Sequence, residues 1–202
     1  VTLGALALLP VMFEYYFYPY DFTALCLFTL GLALMLRRRW TWFCIVFALG
    51  CLNKETMILS TLVFAIHFGT RRRMARTLFA KLLGFQILVC LAVKLLLLAA
   101  FSHNPGGIVE FHLLDHNLPL LRSAGPLAII PWIVIGLAIV YRRAEKPQFL
   151  NDALWIVVPL LGLALFLGYI DELRDYYEAY PIVVLLLAHT VAMILGILVQ
   201  AK

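Results

Sequence analysis

The chain has 202 residues, 64% of them hydrophobic and 13% charged, with a formal net charge of +5 and a mean hydropathy of +0.99. Soluble globular domains are about half apolar and about a quarter charged, so a water-soluble domain is excluded. The basic excess would suggest nucleic acid in a soluble protein; here the positions of the charges explain it, and no nucleic-acid partner is expected.

A chain this apolar must satisfy its backbone internally, which leaves helices or a closed barrel. Barrel strands alternate apolar and polar residues over about ten positions. The runs here are continuous instead: Leu82 to Phe101 is broken only by Gln86 and Lys94. The expected fold is all-α, a polytopic transmembrane bundle of about seven to eight apolar segments including two short half-helices. The stretches are 1–13, 21–36, 40–52, 57–69, 82–101, 125–141, 151–168 and 181–199. They form a single membrane domain, 1–202, without repeats or a soluble appendage. Val1 opens inside an apolar run with no basic stretch before it, so the start is unlike a signal peptide. It reads as a cut, with upstream helices missing.

Basic clusters mark the segment ends: Arg37 to Arg39, Arg71 to Arg73 with Arg76 and Lys81, and Arg142 and Arg143 with Lys146. Cytoplasmic loops carry such clusters. One topology places all of them inside: 21–36 inward, 40–69 as a hairpin, 82–101 outward, 125–141 inward, 151–168 outward and 181–199 inward. That topology also turns Glu14, Asp21, Glu55, Glu110, Asp115, Asp171, Glu172, Asp175 and Glu178 outward, leaving only Glu145 and Asp152 on the other side. As one helix, 40–70 would run roughly 45 Å and bury Asn53, Lys54 and Glu55 near the membrane centre, where each charge costs about 2.5–3.5 kcal/mol. A hairpin avoids this. Its arms are short, so the Asn53–Thr56 turn should sit below the outer surface, lining a wet recess.

The polar residues group into four outer clusters. The aromatic run around Glu14 to Asp21 suits an interfacial belt, with Asp21 as N-cap of the next helix. The 53–56 turn is either a plain polar hairpin with a Lys54–Glu55 pair or an intramembrane site. Residues 102–123 hold His103, Glu110, His112, Asp115, His116 and Arg122. Those are metal-ligand types, but no HExxH spacing is present, and a solvated loop is the better reading; no metal is assigned. The stretch 170–181 holds Arg174 and Glu178 at i, i+4, able to pair, and Pro181 suited to a helix start. Arg174 could instead fork a phosphate. Lys94 reads as snorkelling to the interface. His67 and His189 read as contacts between helices. Cys26, Cys44, Cys51 and Cys90 lie in apolar runs without CxxC spacing and read as small packing residues.

The block from Tyr18 to Arg73 resembles the membrane half of GT-C-type glycosyltransferases. It has a tyrosine- and proline-rich start, Asp21 opening a helix, an arginine triplet, and two short arms around Leu52-Asn53-Lys54-Glu55-Thr56. The Asp171–Pro181 stretch is similar to bacterial members and relatives of that superfamily. The resemblance implies a polyprenyl-phosphate-linked sugar donor, transfer on the non-cytoplasmic face of a bacterial inner membrane, and inversion at the anomeric carbon. Such transfer needs a carboxylate base and cations for the leaving phosphate. Asp21 and Glu55 are then the candidate catalytic carboxylates, and Lys54, Arg174, Asn53 and Glu178 the substrate-binding residues. The family's acidic motif, in its first outer loop, has no counterpart here. The chain is therefore expected to hold the lipid-phosphate side of a site and to be inactive alone. No cofactor follows; the partners expected are the lipid-linked donor and membrane lipids. Other classes fit the hydropathy as well. A lipid or polysaccharide transporter or flippase would want charges through both halves, an O-antigen polymerase or ligase an arginine-rich outer loop, and a noncatalytic assembly subunit neither.

Overall fold

The computed structural model describes residues 19–70, 73–104 and 110–197, and every regular element among them is helical. The apolar stretch 1–13, Glu14 and the aromatic run to Tyr18 lie outside the described residues, as do Arg71 and Arg72, 105–109 and 198–202. Two helices, Arg76–Ala100 and Gln148–Phe166, are long and apolar enough to cross a membrane. The pair Leu113–Ser123 and Pro126–Val140, bent by 94°, makes a third if it counts as one span. The remaining apolar helices have 10–17 residues, fewer than the roughly 20 of a straight span.

The described residues form two compact units, 19–104 and 110–197. The first contains α1 (Pro19–Leu36), α2 (Trp40–Asn53), a 3-10 turn (Glu55–Ile58), α3 (Leu59–Phe64) running into a π turn (Ala65–Thr70), and α4 (Arg76–Ala100). The hairpin expected over 40–69 is there. Lys54 is extended, at φ −152° and ψ 136°, and the chain folds back so that the Trp40 ring lies 5.9 Å from Phe64 and 5.3 Å from Phe68. A straight helix would hold Trp40 and Phe68 roughly 42 Å apart. Phe43 and Phe47 extend this buried aromatic cluster, and Phe79 of α4 stacks on Phe64 at 5.3 Å. Each such ring pair adds about 0.5–1.5 kcal/mol beyond simple burial. Farther along, Cys51 meets Cys90 and Glu55 meets Lys94. Both pairs are separated by 39 residues, so α2 and α4 run parallel, with α3 returning between their ends.

Arg38 and Arg73 meet at one end of this unit. Arg38 Nη2 donates to Arg73 O at 3.3 Å, and its guanidinium lies over the Phe68 ring. Arg38 also stops α1. Its φ is +54°, its N–H donates to Met35 O, and that of Arg39 donates to Leu34 O. This paired closure of a helix end normally uses glycine in the left-handed position.

The second unit contains a π turn (Leu113–Asn117), α5 (Leu118–Ser123), α6 (Pro126–Val140), α7 (Gln148–Ala153), α8 (Val157–Phe166) and α9 (Tyr180–Ile194). A 3-10 turn at Leu154–Ile156 joins α7 to α8. Pro159 explains it: its ring crowds the carbonyl four residues back and removes one helix bond. Pro181 stands in the first turn of α9, as its fixed φ favours. Phe149, Ala153, Ile156, Leu160, Tyr177, Ile182 and Leu186 form the core. No residue of α6 is buried, and only Leu82 and Gln86 of α4 are. Apolar surfaces so extensive require a nonaqueous neighbour.

Lys146 is 3% exposed. Its ammonium donates to Ala138 O at 2.8 Å, Ile139 O at 2.7 Å and Thr190 Oγ1 at 2.7 Å. It thereby closes the carbonyl end of α6, where a cation is favoured, and ties it to α9. Burial pulls its pKa below the usual lysine range.

The left-handed Arg38 makes a direct test of the α1 stop. Arg38→Gly should keep the unit's thermal stability near the wild-type value, whereas Arg38→Val should cost about 1–3 kcal/mol, because a β-branched residue resists positive φ. Melting of the two variants in the same detergent measures the difference.

Candidate functional site

Each unit has a cluster of polar side chains away from its basic turn, although Glu145 and Asn151 of the second unit stand at that turn, bonded to Arg142 and Arg143. In the first unit this polar end is built by the start of α1, the Lys54 break and the C-terminal part of α4. Asp21 lies inside the first turn of α1, two residues past the helix start at Pro19, rather than at the N-cap position expected for it. It is 2% exposed, at a helix end whose backbone N–H groups favour a carboxylate. Next to it, the Tyr20 carbonyl accepts from Asn53 Nδ2 at 3.1 Å. The side chain of the turn is thus fastened to the beginning of the helix that carries Asp21. Lys54 and Glu55 follow directly in the chain.

Glu55 pairs with Lys94 Nζ through its Oε1. The residue expected to snorkel reaches across to the hairpin turn instead. Both side chains are more than half exposed, so the pair remains open to exchange for another anion and contributes little stability. Asp21, Asn53, Lys54 and Glu55 therefore share one end of the unit, and Lys94 joins them. Opposite charges at equal depth in two apolar hairpin neighbours were the sequence signal for this partnership.

The corresponding end of the second unit is organised by Asn117, which is fully buried. Its Nδ2 lies 3.0 Å from Ala164 O, 2.8 Å from Leu165 O and 2.9 Å from Gly168 O. Its Oδ1 accepts from Ile170 N at 3.0 Å. The last carbonyls of a helix have no partner inside it; one asparagine reaches those of α8. His112 N adds a bond to Phe166 O at 3.0 Å. Tyr169 then lies between two histidines, stacked on His112 at 4.3 Å and edge-on to His116 at 4.7 Å. His112 faces Glu110 and Asp115, each at 3.2 Å, and His116 faces Asp171 at 2.9 Å. For Asp115, desolvation raises the pKa but is outweighed by hydrogen bonds from His112 and backbone N–H groups, leaving it below the ordinary carboxylate range.

Arg174 and Glu178 stand at this second end. Arg174 Nε donates to Glu172 Oε2 at 2.5 Å, and Glu178 is 2% exposed. Leu173–Tyr176 is a 3-10 turn, so Arg174 stands in a turn rather than in an α-helix. Gly168 leaves room for the Asp175 carboxylate, which a Cβ there would displace, and Asp175 accepts from Tyr169 N. The Tyr176 phenol is pushed up to about 12 by burial, reinforced by Asp175 and Asp171. It stays protonated and donates to Ile170 O.

Asn117 carried no chemical signature in the sequence, since an asparagine within a polar loop is ordinary. Among the described residues, no three His, Cys, Asp or Glu side chains converge in a way that would hold a metal ion. The chain matches no protein-family model, and no curated protein or solved structure is significantly similar to it.

Replacing Asn117 by alanine should destabilise the chain by about 2–4 kcal/mol, since buried carbonyls lose their donor at about 1–3 kcal/mol each before relaxation. Hydrogen exchange should accelerate at 112–117 and 166–171 and stay unchanged in residues 40–70. Uniform acceleration across both units would contradict the assignment.

Proposed function

We propose that the chain is a multi-pass protein of a bacterial inner membrane that binds a polyprenyl-phosphate-linked sugar on the non-cytoplasmic face. On this reading it is part of a GT-C-like glycosyltransferase that passes the sugar to an acceptor. The supporting observation is the meeting of Asp21, Asn53, Lys54, Glu55 and Lys94 at one end of a hairpin unit, beside the apolar face of α4. A polyprenyl chain needs an apolar surface and its phosphate needs cations. Here α4 carries the apolar face and Lys94, and the turn that holds Lys54 lies against it.

The chemistry follows from the groups. Lys54 and Lys94 neutralise the phosphate, the second by trading Glu55 for it; charge built up on the leaving phosphate is where fixed cations accelerate transfer. A carboxylate accepts the proton of the attacking hydroxyl. Glu55, released from Lys94 by the donor, is the exposed candidate, and Asp21 is held at the helix start beside Tyr20. On this reading the chain contributes about seven to eight apolar segments to the membrane.

Binding of polyprenyl phosphate to the purified chain in lipid nanodiscs tests the reading, with the phosphate-free polyprenol as control. The phosphate form should bind at least roughly ten-fold tighter, as one charge-assisted contact of about 1.5–3 kcal/mol predicts. Lys54→Met and Lys94→Met should each remove most of that preference. Equal affinity for the two lipids, or indifference to both substitutions, would refute it.

A further inference from the structure

Cys51 on α2 and Cys90 on α4 bring their Sγ atoms to 3.3 Å, although they are 39 residues apart and no sequence spacing marks them as a pair. Both are reduced. Cys51 is buried and Cys90 half-buried. A disulfide needs about 2.05 Å between sulfurs, so closure requires an approach of about 1.3 Å, within the range of side-chain rotation and slight helix adjustment. The two helices pack in parallel register here. One turn beyond each cysteine stand Glu55 and Lys94, joined to each other, so the thiols are held opposite one another by contacts on the same two elements. Among the described residues, Cys26 and Cys44 have no such sulfur neighbour.

We infer that Cys51 and Cys90 are an oxidative modification site, a thiol pair that a peroxide converts into a disulfide clamping α2 to α4. The oxidant class follows from the surroundings. Thiol–disulfide exchange needs access by a second, polar disulfide molecule, which this apolar contact denies, whereas hydrogen peroxide is small and neutral. One thiol sulfur attacks a peroxide oxygen, the O–O bond breaks, and water leaves a sulfenic acid. The second sulfur then displaces the hydroxyl as another water, and the S–S bond forms. Two thiols lose two electrons in all, and one peroxide becomes two waters. The clamp would fix the hairpin turn against α4 independently of whether any phosphate binds there.

The test uses the full chain in lipid nanodiscs, titrated with hydrogen peroxide, denatured, treated with a maleimide and digested for mass spectrometry. The expected result is the loss of two of the four free thiols, a linked peptide pair containing Cys51 and Cys90, and recovery of both thiols with dithiothreitol. Cys51→Ser and Cys90→Ser should each abolish the link, but the wild-type digest alone decides the matter should a variant fold poorly. Four thiols left free, stable single-site oxidation without a link, or links through Cys26, Cys44 or a second chain would each overturn the inference.

Discussion

The carbonyls at the end of an apolar helix have no water to turn to, and the described part of this protein is organised around supplying them with partners. A group left unsatisfied in an apolar setting costs several kcal/mol, and among the described residues several polar side chains are found where helices stop. Asn117 reaches the end of α8, Lys146 the end of α6, and a left-handed arginine closes α1. Asn53 fastens a chain break to the start of a neighbouring helix. Burial in these places demands complete hydrogen bonding, and the side chains chosen can make several bonds each.

This constraint also separates the two ends of each unit. Helix ends rich in arginine and lysine favour cations at carbonyls, while the opposite ends hold the Asp21–Asn53–Glu55 and His112–His116 groups. In the first unit the hairpin brings Arg38 and Arg73 to one end and the Asn53–Glu55 turn to the other. In the second, Lys146 and Thr190 mark one end and the His112–Tyr169–His116 group the other. A protein built this way has its chemically versatile groups at a boundary, beside apolar helix faces.

The polar pairs differ in kind. Lys146 is buried and bonded on every side, and its role is structural. The Glu55–Lys94 pair is exposed, weakly stabilising and able to open. The residues best placed to act on a ligand are therefore those that contribute least to holding the fold. Asp21 stands between these cases: it is buried at a helix start, in the unit that carries the open pair.

Composition and hydropathy alone pointed to a helical chain with segments apolar enough to enter a membrane, and the cost of burying Asn53, Lys54 and Glu55 mid-helix pointed to the hairpin. Those conclusions depend on local spacing and on transfer energies, which a sequence carries in full. Which polar side chains meet was decided by tertiary structure. Lys94 finds Glu55, Asn117 finds α8, and Cys51 finds Cys90 across 39 to 51 residues. Whether a lysine snorkels or pairs, or a cysteine packs alone or against another, depends on helix register. Register is set by the aromatic contacts of Trp40, Phe64, Phe68 and Phe79, which act between segments that hydropathy treats as interchangeable.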